Sequence, residues 1–121
     1  MAVLFGGNGP TNFIGSGAAD TIFGAGGNDT LNGRGGNDNI YGDSGNDSLI
    51  GGSGLDFMYG GEGDDTLNAT EEGNDNLFGG IGNDVYQVSR VTDNVAEGPN
   101  QGIDTRPLAK KIYVIIKGFE F

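Results

Sequence analysis

Large apolar residues recur at a fixed interval through most of this chain, and polar residues and glycines fill the positions between them. The interval is nine residues, with a single step of ten. An isolated apolar position of this kind is typical of a very short strand of about three residues with one buried side chain. Such a strand is not stable alone, so the repeats are predicted to stack into sheets. The row comprises Phe13, Ile22, Leu31, Ile40, Leu49, Met58, Leu67, Leu77 and Tyr86.

A second row lies two positions before the apolar row and consists almost entirely of aspartate, with Thr11 as its first member. The residues in front of each aspartate are rich in glycine, which accepts positive φ and close backbone contact, so this half of each repeat is predicted to be a turn. Each repeat is therefore a turn that ends in a carboxylate, followed by a short strand. The aspartates are Asp20, Asp29, Asp38, Asp47, Asp56, Asp65, Asp75 and Asp84.

The repeats can be written in register as nine units between Gly6 and Gln87. From Gly24 they read GAGGNDTLN, GRGGNDNIY, GDSGNDSLI, GGSGLDFMY and GGEGDDTLN. This phrase resembles the RTX calcium-binding nonapeptide repeat, G-G-x-G-x-D-x-U-x, in which U is a large apolar residue. The resemblance implies an all-β protein, a parallel β-roll (a β-helix solenoid) in which two repeats complete one coil.

Departures from the repeat divide the chain into four parts. Residues 1–14 hold a degraded first repeat and are expected to form an N-terminal cap, and residues 15–87 hold the β-roll. Residues 88–105 resemble the segment that follows the last repeat in RTX proteins, which implies a C-terminal cap. Residues 106–121 form a basic and hydrophobic tail with three interpretations: the end of a truncated gene, a strand added to a sheet edge, or a strand across an aromatic row.

The turns have the chemistry of calcium sites, because Ca²⁺ takes six to eight oxygen ligands from carboxylates and backbone carbonyls. One turn offers half of such a set, and the same turn one coil later, roughly 4.8 Å away, offers the other half. We expect about five or six ions, with the site that includes Asp75 the least secure because its repeat has ten residues. The expected pairs are Asp29–Asp47, Asp47–Asp65 and Asp65–Asp84 on one edge, and Asp20–Asp38, Asp38–Asp56 and Asp56–Asp75 on the other.

The glycines of these turns are expected to let carbonyl groups point at the ions. They stand at the first and fourth places of the repeats: Gly24, Gly27, Gly33, Gly36, Gly42, Gly45, Gly51, Gly54, Gly60, Gly63, Gly79 and Gly82. The fifth-place asparagines are predicted to hydrogen-bond within the turns rather than to bind metal. These are Asn28, Asn37, Asn46, Asn74 and Asn83.

The ninth place of the repeats distinguishes the two sheets. Alternate repeats carry an aromatic residue there, so Phe23, Tyr41, Tyr59 and Phe78 recur at the interval of a coil, with Phe57 beside them. One sheet is predicted to present these rings outward as a ladder. Two interpretations are open: the stacked rings only stiffen the sheet, or they form an apolar surface for self-association or for docking of the tail.

Composition narrows the function. The net charge is −11, which disfavours nucleic acid and anionic membranes as partners and favours cations. The chain has no histidine or cysteine to activate a nucleophile, so it is not expected to be an enzyme. No apolar run reaches the roughly 20 residues of a membrane-spanning helix. An anionic, glycine-rich chain is expected to be largely unfolded without calcium, so that calcium binding is coupled to folding.

The resemblance implies a calcium-binding module of a secreted bacterial protein. Such modules leave the cell by type I secretion with an uncleaved C-terminal signal, fold where calcium is plentiful, and stabilise or present an attached partner. The sequence after Met1 does not read as a signal peptide, which agrees with that route. The alternatives are a C-terminal fragment of a larger RTX protease, lipase or cytolysin, or an adhesin-like surface-binding β-roll.

Overall fold

A computed structural model describes residues 1–69, 71–88 and 93–96, and the backbone of residues 113–116. Every regular element in these ranges is a β-strand. Most strands have three or four residues, as one buried position per repeat predicts, but β7 and β9 continue for six residues because they also pair beyond the aromatic position. The strands are β1 Val3–Phe5, β2 Asn12–Ile14, β3 Thr21–Phe23, β4 Thr30–Asn32, β5 Asn39–Tyr41, β6 Ser48–Ile50, β7 Phe57–Glu62, β8 Thr66–Ala69, β9 Asn76–Ile81, β10 Val85–Val88, β11 Asn94–Ala96 and β12 Tyr113–Ile116.

The strands form two parallel sheets of six strands each, with the orders β1-β3-β5-β7-β9-β11 and β2-β4-β6-β8-β10-β12. The chain alternates between the sheets, so one coil contains one strand of each and two repeats. Residues 18 apart are therefore neighbours, as Leu31 and Leu49 are. The predicted parallel β-roll is confirmed, with about five turns. We call the sheet of odd-numbered strands the aromatic sheet and the other the second sheet.

The eighth-place apolar side chains fill the space between the sheets. From Ile22 to Tyr86 all of them are 0 % exposed and belong to one hydrophobic cluster. Phe13 and Leu4 are only partly buried, because they belong to the first coil of the described roll. Burial of one large side chain per repeat is worth about 2–3 kcal/mol, which draws the coils together but leaves the turns to be held by other means.

The ninth-place aromatic residues stack as predicted along the aromatic sheet. Neighbouring rings lie 4.9–5.0 Å apart between centroids and within 4–9° of parallel. This spacing is that of adjacent strands, so each ring covers the next. The sequence analysis missed one member at the N-terminal end, Phe5. The ladder comprises Phe5, Phe23, Tyr41, Tyr59 and Phe78, and Phe57 stacks beside Tyr59 at 6.4 Å.

The ends of the roll contain strands that the repeat pattern did not predict. Strand β1 pairs with β3 in front of the first recognised repeat, and β11 pairs with β9 inside the segment expected to be a cap. Strand β12 pairs with β10 at the end of the second sheet. Of the three interpretations of the tail, β12 agrees with the strand added to a sheet edge, because its backbone pairs with β10. A strand across the aromatic row is wrong for β12.

Several expectations lie outside the described residues. They concern most of the closing segment 88–105 and the tail on either side of β12. Within the described part of the chain no helix is long and apolar enough to cross a membrane.

Candidate metal centre

The predicted aspartates lie at the ends of the turns, each directly before a strand. All eight are buried, with at most 3 % of their surface exposed. Carboxylates are seldom buried without a partner, so their position marks the turns as the chemically unusual part of the molecule. Turns that lead into the second sheet form the first edge, with Asp29, Asp47, Asp65 and Asp84; turns that lead into the aromatic sheet form the second edge, with Asp20, Asp38, Asp56 and Asp75.

One oxygen of each carboxylate joins consecutive coils. Asp47 Oδ1 accepts a hydrogen bond from the backbone N–H of Asp29 at 2.8 Å, and Asp65 Oδ1 accepts one from Asp47 at 2.8 Å. The same bond links Asp20 to Asp38 at 2.7 Å on the second edge. The structure thus brings together every pair that the sequence analysis expected.

The other carboxylate oxygen has no donor at most of these positions. It is buried and accepts no hydrogen bond at Asp29, Asp38, Asp47, Asp56 and Asp65. A buried acceptor left in this state costs about 1–3 kcal/mol, and more when it is charged. These oxygens therefore require a proton or a cation.

The first-place glycines lie directly against these oxygens, at a point where no side chain would fit. A Cβ on Gly42 would lie 2.5 Å from Asp47 Oδ2 and 2.7 Å from the carbonyl oxygen of Gly60 in the next coil. A Cβ on Gly24 would meet Asp29 Oδ2 and the Gly42 carbonyl in the same way. We call this space, bounded by a carboxylate oxygen of one repeat and a glycine carbonyl one coil later, a glycine cradle.

Six cradles correspond to the six expected aspartate pairs, and they are not equal. Those at Gly24, Gly33, Gly42 and Gly60 combine an aspartate oxygen that accepts no hydrogen bond with a next-coil carbonyl. At Gly15 the Asp20 Oδ2 already accepts the Ser16 N–H at 2.6 Å. At Gly51 the three atoms nearest to a Cβ all belong to Asp56, so no carbonyl of the next coil lies among them as it does in the other cradles.

The fourth-place glycines shape the turns rather than line the cradles. Their φ angles are positive, for example 98° at Gly27 and 111° at Gly45. A Cβ on Gly45 would collide with the Gly27 carbonyl of the preceding coil, so a side chain at this place would separate the coils. Gly36, Gly54, Gly63 and Gly82 share both the positive φ and the close stacking.

Three of the fifth-place asparagines, Asn28, Asn37 and Asn46, form hydrogen bonds between coils, not within their own turns as expected. Asn28 Oδ1 accepts the Asn46 N–H at 2.9 Å, and Asn46 Oδ1 accepts the Asp64 N–H at 2.8 Å. Asn37 does the same for Leu55 on the second edge. The one-coil interval places an amide acceptor over a backbone donor, which inspection of a single turn does not reveal.

The carboxylates in the middle of the columns are the hardest to ionise without a cation. Burial raises the pKa of Asp38 and Asp47 from 3.8 to about 6. It raises the pKa of Asp56 to about 7 and that of Asp65 to about 8, and the negative charges of neighbouring aspartates add to both shifts. The pKa of Asp20 is instead lowered, because the Ser16 N–H donates to it.

Sequence reasoning missed one further aspartate, Asp93. Its Oδ1 accepts the Asp75 N–H at 3.0 Å and its Oδ2 is buried and accepts no hydrogen bond, so it continues the second edge before β11. The signal was present in the sequence, because Asp93 follows Asp84 by nine residues and Val95 follows Tyr86 by nine. The absence of glycine from the intervening turn concealed this tenth repeat.

The donor set fits a hard divalent cation. Within the described residues no three acidic side chains gather at one point. Instead the arrangement offers two carboxylates for each step between coils, together with backbone carbonyls. Carboxylate and carbonyl oxygens in flexible numbers suit Ca²⁺, whereas Mg²⁺ requires a tighter octahedral set and retains its waters.

Fold and turns together define a calcium-binding β-roll. The family model described as the RTX calcium-binding nonapeptide repeat (4 copies) matches residues 5–40, 32–67 and 69–86. These matches cover more than half of the chain, so the protein belongs to the RTX calcium-binding repeat family. Searches of curated proteins and of solved structures gave no match.

Proposed function

We propose that the chain is a calcium-folded β-roll module of a secreted bacterial protein, with a binding and structural role rather than a catalytic one. The observation that carries this proposal is the column of buried aspartate oxygens, such as Asp38, Asp47 and Asp56 Oδ2, that accept no hydrogen bond. A cation in each cradle would take the place of the missing donor and would relieve the repulsion between stacked carboxylates. Folding and calcium binding are then one equilibrium.

The proposed ions lie in the cradles, each between a first-place glycine and the aspartate pair of two consecutive coils. Four cradles, at Gly24, Gly33, Gly42 and Gly60, are the strongest candidates because each combines an aspartate oxygen that accepts no hydrogen bond with a carbonyl of the next coil. The cradles at Gly15 and Gly51 are weaker for the reasons given above, which keeps the expected number at about five or six. The fourth-place glycines support the ions indirectly by holding the turns at coil spacing.

A calcium titration followed by far-UV circular dichroism tests this role, with Asp47→Asn as the variant. Asp47 belongs to two proposed sites, so its loss should raise the calcium concentration at the folding midpoint about tenfold, equivalent to about 1.4 kcal/mol. Asp43→Asn is the matched control, because Asp43 carries the same charge on the same turn but is exposed. The control should shift the midpoint less than about twofold.

Two outcomes would contradict the proposal. One is a native sheet signal in metal-free protein at neutral pH that calcium does not change. The other is an equal effect of Asp43→Asn and Asp47→Asn, which would mean that calcium responds to overall charge and not to the cradles.

We further propose that the module is secreted and that it supports an attached partner. RTX repeats are typical of secreted bacterial proteins. Cytosolic calcium is scarce and extracellular calcium is plentiful, so a chain of this kind would remain unfolded during export and fold outside. Fusion of the chain to the C-terminus of a reporter enzyme, with a type I exporter supplied, tests the route; reporter that stays inside the cell would argue against it.

Self-association through the aromatic ladder stays a prediction. The rings of Phe23, Tyr41, Tyr59 and Phe78 are half-buried against one another, which also fits the alternative that they only stiffen the sheet. Light scattering of the calcium-loaded protein and of a Tyr59→Ser variant separates the two interpretations. If both proteins are monomers, stiffening of the sheet remains as the only role of the rings.

A further inference from the structure

Tyr86 differs from the other core residues of the second sheet in carrying an oxygen. The equivalent positions in earlier coils are Phe13, Leu31, Leu49 and Leu67. Tyr86 is 0 % exposed, so its hydroxyl is held inside the protein. A buried hydroxyl needs a polar neighbour, and the position of this one is informative.

The hydroxyl reaches the last cradle of the first edge. Among the described residues, the two atoms closest to a Cβ on Gly79 would be Tyr86 Oη and Asp84 Oδ2. In the cradles at Gly24, Gly42 and Gly60 the corresponding neighbours are an aspartate oxygen and a glycine carbonyl of the next coil. At Gly79 the phenol oxygen thus occupies the place that a backbone carbonyl has elsewhere.

The hydrogen bond from the Gly79 N–H shows the same replacement of a backbone carbonyl by the Tyr86 hydroxyl. The backbone N–H of Gly24 donates to the Tyr41 carbonyl at 2.7 Å, and that of Gly42 donates to the Tyr59 carbonyl at 2.8 Å, each one coil later. The N–H of Gly79 donates to Tyr86 Oη at 2.9 Å in a buried environment. The side chain therefore takes over an acceptor role that the next coil fills in the body of the roll.

From these two replacements we infer that the Tyr86 hydroxyl closes the Gly79–Asp84 cradle to calcium, so that the ion column of the first edge ends at Gly60 and Asp65. The inference rests on the proposed calcium sites and adds where they stop. A neutral hydroxyl in the cradle occupies the volume an ion would need and supplies a polar neighbour for Asp84. The carboxylate of Asp84 keeps its other function, because its Oδ1 accepts the Asp65 N–H at 2.9 Å.

Tyr86→Phe tests the inference, because it removes only the oxygen. Tyr41→Phe is the matched control, since it removes the same atom from the aromatic ladder outside any cradle. Native mass spectrometry of the calcium-loaded proteins counts the ions, and amide hydrogen exchange reports the Gly79 N–H. We expect Tyr86→Phe to retain at least the wild-type number of ions, to lose protection at Gly79, and to melt about 5 °C or more below wild type. Tyr41→Phe should match wild type in all three.

Each other outcome has a definite meaning. One ion fewer in Tyr86→Phe would make the hydroxyl a calcium ligand and would overturn closure. A variant identical to Tyr41→Phe would show that the oxygen has no role in the cradle. If Tyr86→Phe does not fold, hydrogen exchange of the wild-type protein still tests the inference. A Gly79 amide that exchanges as fast as that of exposed Gly17 would overturn it. Wild-type protein without bound calcium would instead refute the proposed function, whatever the variant does.

Discussion

The middle coils of this roll and the coils near its C-terminal end differ in what lies beside their buried aspartates. Between Gly24 and Asp65 each turn encloses a buried carboxylate oxygen that accepts no hydrogen bond and lies against a first-place glycine, and in our proposal a cation balances it. Towards the C-terminal end, Ala69 and Val88, which are neighbours in consecutive coils, stand at first places that most repeats give to glycine. The Tyr86 hydroxyl lies in the Gly79 cradle, and all three residues belong to the hydrophobic cluster. Side chains supplied by the chain itself replace the ion there.

The largest expected effect comes from filling a middle cradle. Gly42→Ala places a methyl group 2.5 Å from Asp47 Oδ2 and 2.7 Å from the Gly60 carbonyl, and neither can move without disturbing a coil. We expect the loss of at least one ion by native mass spectrometry and a loss of about 3 kcal/mol in the free energy of unfolding with calcium present. Gly17→Ala is the control, because a Cβ there meets nothing within 4 Å. Equal stability of the two variants would contradict the cradle.

A smaller effect is expected from pH, and its sign differs with and without calcium. The folded-state pKa is raised from 3.8 to about 6 at Asp47 and to about 8 at Asp65. The folded metal-free chain therefore binds more protons than the unfolded chain between about pH 4 and 8, so its stability falls as the pH rises through this window. Circular dichroism of protein stripped on a chelating resin should show more sheet at about pH 5 than at pH 8.

With calcium present the order reverses, because protons compete with the ion for the same carboxylates. The calcium concentration at the folding midpoint should be higher at about pH 5.5 than at pH 8. Midpoints that do not change with pH would indicate that the buried aspartates are not the ligands.

The smallest effect is expected at the C-terminal end of the second edge. Ala69→Gly removes a buried methyl and adds backbone freedom to the unfolded chain, so it should reduce the free energy of unfolding by about 1–2 kcal/mol. The ion count should not change, since Val88 still fills the next coil. Thermal melting and native mass spectrometry check both points. A gain of one ion would show that a single methyl separates the two kinds of coil.

The fold could be predicted because two separate patterns in the sequence indicated it. The apolar row, with Ile22, Leu49 and Met58 among its members, indicated one buried position per repeat, and the aromatic interval from Phe23 to Tyr41 indicated two repeats per coil. The strand Val3–Phe5 was not predicted, because it has no glycine turn before it. Asp93 was not predicted for the same reason, although it follows Asp84 by the nine residues of one repeat.

The sequence by itself determined the repeat, the coil period, the identity of the buried residues and the presence of paired carboxylates. Each of these follows from a period of 9 or 18 residues and from the preference of aspartate and glycine for such turns. Only the tertiary structure decided how the cradles differ, because a cradle is formed by two coils and its contents depend on residues 18 or 19 positions apart. The place of β12 and the position of the Tyr86 hydroxyl are likewise decided by stacking, which no single repeat encodes.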